Sequence, residues 1–361
     1  MKVAVIGLKG LPANGGAATV GQSIINELKA DYDFTVLSVS SYTHLKSGPY
    51  EDYQQVVFRG FGRGGLNTFL YYLRCAFFCI RHKFDLIHLH HAESGFIVLL
   101  LKLRSKVVVT FHGVFLREDP KFSKFQNGFF RFSERLNVKF ANKVVSVSEP
   151  DSNFIFDKYK RKIRYIPNSI RICNDIADAR PEQNPYIFFA AGRIYEIKGL
   201  HLLLKAAAKM QLPTQIIVAG SLDQVQSYKD EIISLSKGMN VIFLDLITDK
   251  EKLLNLLAHA EFFVFPSLTE AMSIMLLEAV STKVPVIASD IPSNKTIFND
   301  SELLFFRSND INDLEEKLRH AVANKTDMAM RAGNAYSRLI KEYTGEIVGA
   351  QYREIYESLL K

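Results

Sequence analysis

Short apolar runs alternate with longer stretches of mixed polarity along the whole chain. In the first half the runs are "KVAVIG", "FTVLSV", "QVVFRG", "DLIHLH", "KVVVTFHG", "KVVSVS" and "IRYIPN". In the second half they are "PYIFFAAG", "TQIIVAG", "NVIFLD", "EFFVFPS", "VPVIASD" and "LLFF". Between them lie amphipathic stretches such as "LHLLLKAAAKM" and "KEKLLNLLAHA", whose apolar positions recur at helical spacing. Strand-like runs alternating with helix-like ones predict parallel sheets of the α/β class. Two full sets of strands predict two doubly wound domains, over about 1–175 and 185–330. The join falls in "RICNDIADARPEQNP", residues 171–185, which is polar, carries Pro181 and Pro185 and has no clear period. After about residue 328 the pattern is helical, with Ile347, Tyr352, Ile355, Tyr356 and Leu359 forming a stripe.

The first run leads into a glycine-rich turn, "MKVAVIGLKGLPANGGAATVGQSI". A dinucleotide fingerprint needs G-x-G-x-x-G after the strand and an acid about 20 residues on. Here Gly7 and Gly10 are three apart, Pro12 follows, and the second strand ends in serines. The pattern therefore argues against a nicotinamide site. Two readings stay open from this stretch alone. The glycines only permit a tight turn, or bare backbone at Gly15 and Gly16 lets a phosphate or sugar approach a helix N-terminus.

The 361 residues allow about two domains with sizeable cores. No N-terminal signal peptide is visible, because only "VAVI" separates Lys2 from Gly7. The longest apolar run, Leu66 to Ile80, contains Asn67, Thr68 and Arg74 and does not read as a membrane span. Cys75, Cys79 and Cys173 form no paired motif, which argues against a disulfide framework or a zinc site. A reducing, cytoplasmic setting fits. The net charge of +7 is uneven: residues 1–180 carry +11 and residues 181–361 carry −4. The first half is therefore expected to meet something anionic.

In "AAGRIYEIKGLHLLLKAAAKM", Arg193 follows a strand and Lys198 lies just before a helix. Two cations and a helix N-terminus at the carboxyl end of a parallel strand make an anion site; surface cations near a turn are the plainer alternative. In "PSLTEAMSIMLLEAVSTKVPVIASDIP", Glu270 and Glu278 are eight apart. With a helix starting near Ser273, Glu270 falls in the loop and Glu278 inside the helix. Carboxylates accept hydrogen bonds from sugar hydroxyls, and backbone N–H groups at Met272, Ser273 and Ile274 would face a diphosphate. A capping acid and a solvated helix acid would look the same.

The ordered set resembles a known family. "GRIYEIKG", then "EAMSIMLLE" about 70 residues later, then "VPVIASDIP", is similar to family-4 retaining glycosyltransferases of the GT-B fold. The glycine-rich loop, "DLIHLHH", "VVVTFHG", "VVSVSE" and "YIPNSI" agree with it in the first half. The resemblance implies two Rossmann-like domains with a cleft between them, closing by hinge motion, and a helix at about 344–361 packed back on the first domain. It implies that Arg193 and Lys198 bind the donor diphosphate, Glu278 the ribose and Glu270 the transferred sugar. It sets Gly16, with Gly15, beside the phosphates and His112 of "TFHG" at the reacting centre. His90 and His91 either join His112 or satisfy local hydrogen bonds. Ala271 and Ser169 stand where relatives often have glycine.

The activity so implied is transfer of a sugar, from a UDP-sugar first and a GDP-sugar next, to a glycan hydroxyl with retention of configuration. It needs no cofactor and no metal. The acceptor would be a lipid-linked glycan in surface polysaccharide synthesis. The alternatives are a sugar-nucleotide epimerase on the same fold and a non-enzymatic two-domain binding protein. No nucleic-acid-binding signature is present. Residues 117–143 carry seven Lys or Arg and three acids. Phe122, Phe125, Phe129, Phe132, Leu136 and Phe140 recur there at helix-like intervals, with Lys124, Arg131, Arg135 and Lys139 among them. Such a helix either rests on the anionic inner face of a membrane, making the protein peripheral, or turns an aromatic stripe to the core and its cations to water.

Overall fold

The computed structural model describes residues 1–13, 15–62, 64–113, 123–172 and 184–361. Cys173, Arg117, Phe122 and most of the 171–185 segment lie outside them. The chain forms two compact units, one of Met1–Ser169 with Gly345–Lys361 and one of Ile170–Thr344.

The first unit holds an eight-stranded sheet built from β1 (Lys2–Lys9), β2 (Asp33–Val39), β3 (Gly48–Pro49), β4 (Gln54–Phe58), β5 (Leu86–His90), β6 (Lys106–Phe111), β7 (Lys143–Ser146) and β8 (Arg164–Tyr165). The order is β3-β4-β2-β1-β5-β6-β7-β8. All pairings are parallel except that of β3 with β4. The two-residue β3 has no signature in the sequence, since so short an edge strand needs neither a period nor an apolar run. Helices α1 (Gly16–Leu28), α2 (Gly65–Arg81), α3 (Val98–Leu101), α4 (Lys124–Phe140) and α5 (Glu149–Tyr159) connect the strands.

The apolar run expected not to span a membrane is α2. It buries Tyr71, Tyr72, Cys75, Ala76 and Cys79 and leaves Leu66, Phe69 and Phe77 exposed. Both cysteines are free, and burial raises the pKa of each thiol, so they act as small apolar residues. No helix among the described residues is long and apolar enough to cross a membrane.

The second unit holds β9 (Tyr186–Arg193), β10 (Gln215–Ser221), β11 (Val241–Leu244), β12 (Phe262–Phe265), β13 (Val286–Ser289) and β14 (Leu304–Phe306). They form an all-parallel sheet in the order β11-β10-β9-β12-β13-β14. Its helices are α6 (Leu200–Met210), α7 (Gln226–Leu235), α8 (Lys250–Ala258), α9 (Ile274–Ser281), α10 (Pro292–Ile297), α11 (Ile311–Ala323) and α12 (Lys325–Glu342). α12 packs on α9 and α11.

Helix α13 (Gly345–Leu360) belongs to the first unit. It lies on α1, where a Cβ on Gly345 or Gly349 would run into Glu27. Its stripe drives Tyr352 and Tyr356 fully into the interior. Buried hydroxyls need partners. The Tyr356 hydroxyl meets His88 Nδ1 at 2.7 Å, and the Tyr352 hydroxyl lies 3.4 Å from Thr110 Oγ1. Tyr356→Phe should lower the unfolding free energy by about 1–3 kcal/mol, because it leaves a buried ring nitrogen unpaired. Chemical denaturation of the two proteins measures this, and equal stabilities would show that the bond contributes nothing.

Candidate functional site

In an open parallel sheet, ligands bind past the carboxyl ends of the strands where the order reverses. In the first unit that strand is β1, flanked by β2 and β5; in the second it is β9, flanked by β10 and β12. The loop after β1 includes Gly10 and Gly15 and leads into α1 at Gly16, and the loop after β9 runs from the Arg193 strand end to Gly199. The two stretches that carry candidate chemistry thus sit at the two reversal points.

In the second unit, Arg193 ends β9 opposite Ser221. It is exposed, and its guanidinium makes no hydrogen bond or ion pair among the described residues. A turn at Glu196–Lys198 follows, and Gly199 turns the chain into α6 with φ 72°. A side chain there would be strained, and its Cβ would fall 2.0 Å from the Pro266 carbonyl oxygen. That close approach joins the loop to the segment after β12. Leu268 N–H donates to the Ile197 carbonyl at 2.8 Å, and Lys198 Nζ donates to Glu270 Oε1 at 2.6 Å. The lysine and carboxylate side chains of this pair are 21% and 12% exposed, so water screens them only in part.

Met272 and Ser273 are buried just ahead of α9. Ser273 is the N-cap, its side chain makes no capping bond, and Ile274 opens the helix. Neither α6 nor α9 has an acid in its first turn, so no acid within those turns offsets the positive end of either helix dipole. Glu278 is buried inside α9 and accepts a hydrogen bond from Lys250. Burial pushes its carboxyl above the usual range, and Lys250 pulls it part of the way back. Lys250 was not legible in the sequence. It reaches Glu278 because Asp249 caps α8, accepting from the N–H groups of Glu251 and Lys252 at 2.9 and 3.2 Å. That cap sets Lys250 at the start of α8, which packs on α9.

In the first unit, Gly15 precedes α1 with φ 120°, a conformation that favours glycine. A Cβ on Gly15 or Gly16 would meet nothing within 4 Å, so the space beside them is open. Gly7 differs: its Cβ would lie 2.4 Å from the His90 carbonyl oxygen, and packing alone excludes a side chain. His112 is half-buried just beyond β6. His90 Nδ1 and His112 Nε2 are 2.8 Å apart. His91 stands beside His112, with ring centroids 5.1 Å apart, and its backbone lies in the left-handed region at φ 71°. Burial first, with neighbouring imidazoles adding to it, holds His90 and His112 well below the usual histidine range.

The basic helix α4 departs from the core-facing alternative read in the sequence, because its phenylalanines divide between the interior and the surface. Its fully buried residues are Ser133, Glu134, Asn137 and Val138, and from the apolar stripe Leu136 and Phe140 pack against the core in part. The cause is close packing: a Cβ on Gly95 would lie 1.7 Å from the Ser133 carbonyl oxygen. Asn137 Nδ2 donates to the Ala92 carbonyl at 3.1 Å, and the Tyr159 hydroxyl donates to Glu134 at 2.5 Å. Phe129 joins Phe69 and Phe96 in an aromatic cluster. Phe125 and Phe132 are 84% and 56% exposed, on a surface shared with Lys124, Arg131, Arg135 and Lys139. Leu99, Leu100 and Leu103 are exposed on and just after α3, which packs between α2 and α4.

Two family models match the chain, "Glycosyltransferase Family 4" over residues 14–172 and "Glycosyl transferases group 1" over residues 174–338. The O-antigen chain mannosyltransferase C of Escherichia coli is 24% identical over 299 residues, 78% of this chain and 77% of the relative. Sucrose-phosphate synthase of Thermosynechococcus elongatus superposes with a TM-score of 0.83 at 20% identity, over 99% of this chain and 98% of its own. Anabaena HepE, solved in complex with UDP and glucose, gives 0.79 at 18% identity over 99% of this chain and all of its own. The fold is GT-B.

An imidazole whose pKa is depressed by folding stays neutral in the folded chain while the unfolded chain takes up a proton near pH 6.5. Its stabilising share is full above about 6.5 and is lost as pH falls toward the folded value, about 3 for His88. Going from about pH 7.5 to about 5.5 should cost about 1 kcal/mol for each of the buried His88 and His90, lowering the thermal midpoint by several degrees. A midpoint that does not move would show that these rings do not take up their protons on unfolding.

Proposed function

The chain belongs to the group 1 glycosyltransferases, of family 4 in its first half, and on that footing we propose that it moves a sugar from a nucleotide diphosphate sugar to a glycan hydroxyl. The anomeric configuration is retained. The carbon–oxygen bond to the diphosphate breaks, the acceptor oxygen bonds to the same face, and the acceptor proton passes to the leaving phosphate. The protein's tasks are orientation and charge stabilisation. UDP is the favoured carrier and GDP the next; the UDP bound by HepE supports that order.

The observation that carries this reading is the convergence of cations on one loop edge. Arg193 is exposed and unpaired among the described residues, Lys198 is held by Glu270, and two helix N-termini lie beside them. In this reading Arg193, Lys198 and the N–H groups of Met272, Ser273 and Ile274 bind the diphosphate. Glu278 takes the ribose hydroxyls and Glu270 the transferred sugar. Gly15 and Gly16 leave room on the phosphate side, and His112 faces the reacting centre. Charge on the leaving nucleotide is offset by the cations, so no cofactor or metal is required.

Arg193→Ala or Lys198→Ala should lower turnover about a hundredfold or more, as loss of a preorganised charge does. Glu278→Ala should chiefly raise the KM for the donor, and EDTA should leave the wild-type rate unchanged. Steady-state assays measure all four, and wild-type kinetics in the three variants would remove the assignment.

The acceptor is a lipid-linked glycan of surface polysaccharide synthesis, and the protein rests on the inner face of the membrane. The E. coli relative, named for the O-antigen chain, supports the product class. The surface of α4 supports the location, because Phe125 and Phe132 are exposed among cations. A solvated face has no use for two bare phenyl rings, whereas an interfacial helix buries such rings beneath its basic residues. Each basic residue near an anionic surface contributes about 1 kcal/mol. The protein should float with phosphatidylglycerol vesicles, less with neutral ones, and leave them as salt rises. Reversing charge at Arg131, Arg135 and Lys139 should release it without changing nucleotide affinity. Equal flotation of wild type and variant would make α4 an ordinary exposed helix.

A further inference from the structure

Side chains two apart on a strand share a face, and here that rule gathers histidines. On β5, His88 and His90 share a face; β6 brings Thr110 opposite His90 in register, and His112 lies two residues on. His88 Nε2 meets Thr110 Oγ1 at 2.8 Å, while Tyr356 closes its Nδ1. The His88 and His90 rings stack at 4.3 Å, whereas the His90 and His112 rings lie edge to edge, their centroids 5.1 Å apart and planes within 14°. On the neighbouring β1, Gly7 leaves the clearance that the His90 backbone and Cβ occupy. The His90 ring is thus held from several sides.

Its two nitrogens differ. Nδ1 is bonded to His112 Nε2, whereas Nε2 is buried with no partner among the described residues. In a neutral imidazole one nitrogen carries hydrogen and the other a lone pair. A buried N–H without an acceptor is rarer in proteins than a buried acceptor without a donor. The proton of His90 therefore belongs on Nδ1, and the Nδ1–H donates to His112. His112 Nε2 is then an acceptor. Its own proton must sit on Nδ1, which has no partner among the described residues.

We propose that His90 is a positioning residue that fixes His112 as the Nδ1–H tautomer. His112 then meets an oxygen of the sugar or of the leaving phosphate as a hydrogen-bond donor, not as a base. The role at the reacting centre rests on the reading of His112 given above; the tautomer does not.

Nitrogen-15 NMR of histidine-labelled protein distinguishes a protonated from a bare ring nitrogen, and His112→Ala identifies the His112 signals. The wild type should show His112 protonated at Nδ1 and bare at Nε2. His90→Leu should shift it toward the other tautomer. His90→Asn, whose carboxamide nitrogen can donate from near the place of Nδ1, should restore it. Turnover should fall about 10- to 100-fold in His90→Leu, the scale of a misoriented catalytic contact, with donor KM little changed, and recover in His90→Asn. A wild-type His112 protonated at Nε2 overturns the proposal, whether or not His90→Leu folds. So does a His112 spectrum that His90→Leu leaves unaltered. If His112→Ala keeps full turnover, the reacting-centre reading fails, while the wild-type spectrum still decides the tautomer.

Discussion

Everything chemical in this molecule depends on one constraint of parallel sheets: all strands point the same way, so all their following loops emerge at one edge. Where the strand order reverses, consecutive connections leave toward opposite faces and open a gap. β1 and β9 stand at those reversals. The loop after β1 keeps open space beside Gly15 and Gly16, and the loop after β9 presents Arg193 and Lys198. The position of each loop is dictated by the strand that feeds it.

On the proposed reading, carboxylates beside the diphosphate create a difficulty that the second unit resolves locally. Glu270 and Glu278 would repel a diphosphate, yet each is held by a lysine, Lys198 and Lys250. The two pairs differ in solvent. The first is shielded on both sides, whereas Lys250 is 51% exposed above a buried Glu278. Arg193 is left as a cation with no carboxylate beside it among the described residues. A charge without a partner attracts an anion more strongly than one already neutralised.

The inner strands of both sheets were legible because they are buried on both faces and so read as continuous apolar runs. β3 was not, since two residues carry no period. The candidate residues of the second unit were legible as sequence motifs, but their pairing was not. Lys198 meets Glu270 across 72 positions of chain, and Lys250 meets Glu278 from a different helix. On α4 the sequence left the inward face open, and the structure divides the stripe: Leu136 and Phe140 pack against the core while Phe125 and Phe132 are exposed. Periodicity ranks apolar residues, and here the close approach of Gly95 to Ser133 and the Asn137 bond to Ala92 set which side of α4 turns inward. Similarly, "HLHH" shows four residues in a row, and only the register of β5 on β6 reveals which imidazole touches His112.

Helix α13 comes after the whole second unit in chain order, yet it supplies Tyr352 and Tyr356 to the interior of the first. A chain emerging from the ribosome can therefore complete its second unit while its first still lacks a wall. Until α13 arrives, the Thr110 and His88 side chains face water instead of tyrosine hydroxyls. The half of the molecule made first is the half finished last. A message cut short anywhere in the second unit yields a first unit with an open flank of apolar and imidazole side chains, which chaperones and proteases can recognise.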